Sequence, residues 1–346
     1  MIVKNNLLLF FMTRFCIIIT FVTIITGCRS RCVTPTEAEP IAPQNVNPQT
    51  VSAAQASQPQ TVAAKKQLKP DYFFAVAQYN TLYYGNTLEN LAKIDVASAQ
   101  LDISPDGRTI AYSSYSRPGY RVIKMIDIET QTNTLLDLPP RNAYMGSWNN
   151  DGKHIAINSQ STLYSHWQPV IYDIETGVLS DIEWLDTDND YYNPVFSPNG
   201  RSLVFHDICR IYICDFKKGR ASLKRVIDTE DLCADDNGGF SDYCKFQLSN
   251  DGKYLIFTME TDILEEDICP KITLCCYNIE SGHIRRVTDR NHNVTDFAID
   301  SSNEIYFITC NKEKQEFEGF VARIDGSDVV RSATFKEQAY AIAVAD

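Results

Sequence analysis

Catalytic signatures are scarce in this chain of 346 residues. It has no Gly-x-Ser-x-Gly elbow for a serine nucleophile, no His-Glu-x-x-His pair for zinc and no phosphate loop. Histidine occurs five times, scattered, and no Cys-x-x-Cys pair is present, which argues against a metal site built on those ligands. Positive charge is thin as well. The formal net charge is −12, and adjacent basic residues run no longer than pairs such as Lys217-Lys218 and Arg285-Arg286, so nucleic acid is set aside as a partner. From residue 71 onward no convincing amphipathic helix can be traced.

What the chain does have is a returning turn. Ser104-Pro105-Asp106-Gly107 recurs as Asn149-Asn150-Asp151-Gly152, Ser197-Pro198-Asn199-Gly200 and Ser249-Asn250-Asp251-Gly252, with a worn copy at Asp300-Ser301-Ser302-Asn303. Proline presets φ in such a turn, Asp or Asn caps the backbone, and glycine takes the left-handed conformation that closes a hairpin. The copies stand about 45 to 52 residues apart, the period of four-stranded propeller blades. A second motif follows each at a fixed place: Tyr172-Asp173-Ile174-Glu175-Thr176-Gly177 and Tyr277-Asn278-Ile279-Glu280-Ser281-Gly282 are near copies, with looser ones at 126–130 and 215–219. In the best repeat this predicts strands over 193–197, 202–205, 210–215 and 223–227.

Five repeats begin with an inner strand, near residues 99, 141, 188, 236 and 293. Residues 71–95 offer three strands (73–76, 82–84 and 91–94) with no tight turn before them, and residues 339–345 offer an inner strand with nothing after it. Each end lacks what the other has. The expected fold is therefore all-β, a six-bladed β-propeller over 71–346 whose last blade is closed by the C-terminal inner strand and three N-terminal strands, leaving no unpaired edge between first and last blades.

The first 27 residues carry sparse positive charge at Lys4 and Arg14 and then an apolar run over 15–22 that is short for a stable span, the layout of an export signal. Ile25-Thr26-Gly27-Cys28 resembles a bacterial lipobox, with Cys28 as the lipidated residue; acylation there would anchor the chain to a membrane. Loss of Lys4 and Arg14 with the leader would take the net charge from −12 to −14. Residues 28–70, rich in Ala, Gln, Pro, Thr, Ser and Val, read as a disordered tether. Arg29, where Asp tends to signal inner-membrane retention, points to the outer membrane.

The repeat of inner strand, Ser-Pro-Asp-Gly-Lys/Arg, an Ile-Ala-Tyr or Leu-Val-Phe strand, then Tyr-Asp-Ile-Glu-Thr-Gly resembles the WD-like propeller repeat of the TolB family over roughly residues 71–346. That resemblance implies a six-bladed propeller in the bacterial envelope. TolB carries a separate N-terminal α/β domain, where this chain has its tether.

Eight of the eleven cysteines lie between 209 and 310, which in an exported domain reads as disulfides. Cys233 and Cys244 are the first candidate pair, and bridges between neighbouring blades involving Cys209, Cys214, Cys269, Cys275 and Cys276 are a further expectation. Asp186, Asp188 and Asp190 alternate like the start of a calcium loop, without its glycine and closing glutamate; a solvated acidic loop is expected, with no cofactor, and Ca²⁺ is the alternative. Tyr144, Trp184, Tyr191 and Tyr192 stand in or near loops entering inner strands and would frame the channel mouth with those carboxylates and the loop from Cys233 to Cys244. His154 and His206 are expected to be structural or exposed rather than general bases. The functional expectation is a membrane-anchored lipoprotein whose propeller is a non-catalytic binding scaffold for an envelope protein or glycan. The alternatives are a polysaccharide hydrolase or lyase acting at the channel mouth, and a purely structural lipoprotein.

Overall fold

The computed structural model describes residues 73–78, 81–94, 100–117, 120–139, 141–161, 165–233, 238–261, 271–288, 292–311, 314 and 316–345. The leader, Cys28 and the tether lie outside the described residues. Six four-stranded antiparallel sheets are arranged as blades, with a single 3-10 turn, Thr229–Leu232, among the described residues. The first blade joins β1 (Phe73–Gln78), β2 (Thr81–Thr87) and β3 (Asn90–Lys93) to the C-terminal strand Ala339–Ala345. That strand pairs with β1 from Phe73↔Ala345 to Gln78↔Ala339, so the ring closes as the two incomplete ends predict. Inner strands of the second to sixth blades are Leu101–Ile103, Asn142–Trp148, Tyr192–Phe196, Phe246–Leu248 and His292–Ile299.

The recurring turn closes as its chemistry demands. Gly107 N–H donates to Ser104 O at 2.8 Å, Asp106 Oδ1 accepts from Ser104 Oγ at 2.6 Å and from Arg108 N at 3.1 Å, and Gly107 sits at φ +68°. In the worn copy Asn303 takes that left-handed position at φ +66°. The turns also lock blades together: Asn149 Nδ2 donates to Gly200 O at 2.8 Å, Asn199 Nδ2 to Asn250 O, and Asn250 Nδ2 to Ser301 O at 2.8 Å.

Six apolar clusters form the core, one at each junction between neighbouring blades, the closing junction included. Because strand side chains alternate, consecutive residues serve opposite junctions. Ile155 and Ile157 pack toward the second blade and Ala156 toward the fourth; Leu255 and Phe257 pack toward the fourth and Ile256 toward the sixth. A blade interior is thus buried on both faces, which is why its strands read as continuous apolar runs.

The same alternation overturns the disulfide expectation for the described cysteines; Cys269 lies outside the described residues. No disulfide is formed among the described cysteines. Cys275 faces the junction of the fourth and fifth blades and Cys276 that of the fifth and sixth, while Cys214 faces the junction of the third and fourth, so intervening sheets separate them. Cys233 and Cys244 are not joined either: Cys233 Sγ lies 3.7 Å from Met259 Sδ, and Cys244 Sγ accepts from Ser241 N at 3.4 Å.

Candidate functional site

Down the axis of the ring, the inner edge of each first strand presents backbone groups that no fifth strand can pair. Side chains of a neighbouring blade satisfy several of them. Asp102 Oδ2 accepts from Trp148 N at 2.6 Å, Ser147 Oγ from Phe196 N at 2.7 Å, and Asp296 Oδ2 from Ile342 N at 2.9 Å. Lys245 Nζ bridges Asp296 Oδ1 at 3.0 Å and the Phe297 carbonyl. A cavity of about 80 Å³ remains between these strands, large enough for a few water molecules. Asp102 lines it, leaving a small area accessible but walled in by the ring. Burial is the main cause that pushes its carboxyl up to about 7, opposed by the Trp148 and Ile103 amides and by Lys245.

The loops entering the inner strands, and the hairpins between second and third strands, meet at one end of this channel. There Arg121 lies over two tyrosines, its guanidinium carbon 5.9 Å from the Tyr115 ring centre and 5.7 Å from that of Tyr144. The Arg121 amide donates to Asn142 Oδ1 of the third blade at 2.8 Å, fixing the root of the side chain. Tyr144 is buried; its ring packs 5.0 Å from Trp167, and its hydroxyl accepts from Asn158 Nδ2. Burial raises the Tyr144 pKa, so it remains a neutral phenol. Asn193 Nδ2 ties the fourth blade to the fifth by donating to the carbonyls of Asp242 at 2.8 Å and Cys244 at 2.9 Å. Beside them stands Tyr243, 82% exposed. Its phenol is raised chiefly by Asp242, and Arg121 and Tyr115 also act on it, although they belong to the second blade, opposite the fifth in a ring of six. Tyr115 itself is 57% exposed. The mouth is an aromatic opening with Arg121 set into its wall.

No family model matches the sequence, and no curated protein matches it. Solved structures do. TolB from Acinetobacter baumannii superposes with a TM-score of 0.61 at 17% identity, over 80% of this chain and 67% of that one. A putative TolB from Agrobacterium tumefaciens gives 0.52 at 12% identity, over 78% and 97%. A chain of a nidogen/laminin complex gives 0.54 at 12% identity, over 80% and 98%. The fold is a TolB-like six-bladed propeller.

The residues singled out in the sequence divide within this TolB-like frame. Tyr144, Asp190 and Tyr192 reach the loop end of the channel. Asp190 Oδ1 accepts from Trp167 N at 2.6 Å, and Oδ2 lies 3.1 Å from His166 Nδ1, so its oxygens brace the neighbouring hairpin. Tyr192 is pushed up to about 12, first by burial and then by Asp190 and Asp242. Trp184 and Tyr191 turn instead into the junction of the third and fourth blades: Trp184 stacks on Phe205 at 6.1 Å and donates to the Ala221 carbonyl at 3.3 Å, and Tyr191 meets Phe205 and Tyr212 edge-on. Asp186 caps its own loop, accepting from Asp188 N at 3.0 Å and from Asn189 Nδ2 at 3.1 Å, and Asp188 is exposed. The three carboxylates do not converge, and among the described residues no cluster of three metal-ligating side chains occurs.

Tyr115 and Arg121 were not singled out in the sequence, whereas Asp242 and Tyr243 fall within the loop between Cys233 and Cys244 that was expected to line the mouth. For Tyr115 and Arg121 the sequence signal is Pro118-Gly119 between them, a turn pair that marks a hairpin between second and third strands.

Proposed function

We propose that this protein is an outer-membrane-tethered envelope lipoprotein whose propeller is a non-catalytic platform, binding a partner protein at the channel mouth. The observation that carries this reading is the pair of exposed tyrosines, Tyr115 and Tyr243, held at the opening of a ring braced by side-chain bonds between blades. Tyrosine offers large contact area at small entropic cost and is enriched, with arginine, where binding energy concentrates. The TolB and nidogen/laminin likenesses add support, since the latter propeller is seen within a protein complex. Envelope location and anchoring rest on the lipobox-like Ile25-Thr26-Gly27-Cys28. A hydrolase would want an acid and a base at the mouth, whereas the His166–Asp190 pair there has its carboxylate engaged on both oxygens.

The test is crosslinking capture from native envelopes with the full lipidated chain, beside a Tyr115→Ala/Tyr243→Ala variant of unchanged melting temperature. Recovery of a partner by the native protein and its loss with the variant are expected. Equal recovery by both would overturn the mouth as the binding surface.

A further inference from the structure

Arg121 is held in place at the channel mouth from both ends of its length. Its backbone is pinned to the third blade through Asn142, and its guanidinium lies over Tyr115 and Tyr144. Stacking on two rings restricts the long side chain before any ligand arrives and leaves the planar N–H edge available. Among the described residues no carboxylate lies within ion-pairing distance of it and no acceptor takes its side-chain N–H groups. Arg210, Arg323 and Arg331, by contrast, pair with Asp228, Asp328 and Glu318 at 3.6, 2.7 and 2.8 Å. One residue before Asn142, Arg141 donates through Nη1 to Ser159 Oγ at 3.1 Å, while its buried Nε has no partner among the described residues. In a chain of net charge −12, Arg121 thus forms no ion pair among the described residues, although its charge acts on the Asp242 carboxyl.

We infer that Arg121 receives one carboxylate of a partner polypeptide, as a two-pronged hydrogen-bonded pair, while a flat aromatic or proline ring of the same segment packs on Tyr115 and Tyr243. A guanidinium matches a carboxylate edge to edge, and the pair is stronger where water is thinned, as between these rings. The acidic surroundings, Asp190 and Asp242 among them, select against a polyanion, so the ligand carries a single acidic group on an otherwise uncharged, ring-bearing stretch. This rests on the mouth being the binding surface and adds to it the chemistry of the ligand.

The experiment titrates the full propeller chain with N-acetyl-Pro-Tyr-Glu-amide, its Gln and Lys counterparts, and trigalacturonate. Fluorescence of Trp167, packed against Tyr144, and calorimetry serve as readouts. The expected result is at least tenfold tighter binding of the Glu peptide than of the Gln or Lys peptide, with the preference abolished in Arg121→Gln and partly kept in Arg121→Lys. Equal binding of Glu and Gln peptides, or a preference that survives Arg121→Gln, overturns the inference. Tighter binding of trigalacturonate than of the Glu peptide overturns the polypeptide class. If Arg121→Gln does not fold, the selectivity of the native chain among the three peptides decides alone. Partner capture lost with the tyrosine variant but kept with Arg121→Gln would sink this inference and leave the platform standing.

Discussion

Asp102 and Trp148 are 46 residues apart, yet the Asp102 carboxylate accepts the Trp148 amide at 2.6 Å across the boundary between second and third blades. The contact couples ring assembly to protonation. A carboxyl pushed up to about 7 from 3.8 binds its proton more tightly when folded. Its contribution to stability is therefore complete below the unfolded value and is lost as pH rises through about 7. Allowing for screening by water in the channel, we expect a loss of about 1–3 kcal/mol between about pH 5 and 8. Urea unfolding of native chain and Asp102→Asn at both pH values checks it: the variant, which cannot ionise, should lack this slope. The same slope in both proteins would assign it to another group.

His206 acts in the opposite direction. It is fully buried, its Nδ1 accepts from Ile208 N at 3.2 Å, and Tyr192 and Phe246 pack against the ring. Burial pushes it down to about 4, opposed in part by the Cys244 carbonyl. With a folded pKa below the unfolded 6.5, stability is intact above the unfolded value and is lost as pH falls toward about 4. The loss should approach about 3 kcal/mol, and His206→Asn should remove most of it while lowering stability near neutral pH. An acid limb unchanged in that variant would contradict the assignment.

The ring is legible in the sequence because its determinants are local. Ser104 to Gly107 and its copies mark one hairpin each, and the unmatched ends at 73–78 and 339–345 leave a single way to close. The mouth is harder to read for the opposite reason. Tyr115 and Arg121 share a hairpin of the second blade, but Tyr243 enters from the fifth, and only the circular arrangement brings them together. Nor does local pattern say which way a side chain turns: Tyr191 and Tyr192 are adjacent, yet the first packs between blades and the second stands at the loop end. The cysteine expectation failed on the same ground, since spacing along the chain does not show that Cys275 and Cys276 face different junctions.

Two copies of one turn should respond differently to the same substitution. Gly200 and Gly252 sit at φ +68° and +72°. A Cβ at Gly252 meets open space, whereas one at Gly200 would lie 2.6 Å from Asn149 Oδ1, the side chain that donates to the Gly200 carbonyl. Gly252→Ala should cost the left-handed penalty of about 1–2 kcal/mol, and Gly200→Ala should exceed it by about 1 kcal/mol as the clasp opens. Equal losses by thermal or urea denaturation would mean that the clasp contributes nothing.

Thiol chemistry should follow burial. Burial pushes Cys214 up to about 12 and Cys244 up to about 11, while Cys209 is exposed. In native conditions a disulfide reagent should react first with Cys209, and with Cys214 and Cys244 only on unfolding. Oxidised preparations should show no fragment linking Cys233 to Cys244 by mass spectrometry. Substituting Cys233 by Ser should also spare the protein the loss of about 2–3 kcal/mol that breaking such a bridge would bring. A linked fragment from freshly folded protein would reverse this.

Ring closure gives the sharpest contrast. Ile342 pairs with Val76 and is 1% exposed within the cluster joining the sixth and first blades, whereas Val330, on the outer strand of the sixth blade, is 61% exposed. An unpaired carboxylate at Ile342 has no partner in that apolar junction, so Ile342→Asp should cost more than about 3 kcal/mol, and Val330→Asp should stay within about 0.5 kcal/mol. Each blade is buried on both faces by its neighbours, so opening one junction also exposes both blades flanking it. The Ile342→Asp loss should therefore appear as a shift of one cooperative transition, followed together by far-ultraviolet circular dichroism and tryptophan fluorescence. If only the first blade melts and Trp148, Trp167 and Trp184 keep their native signal, the closing strand does not hold the ring.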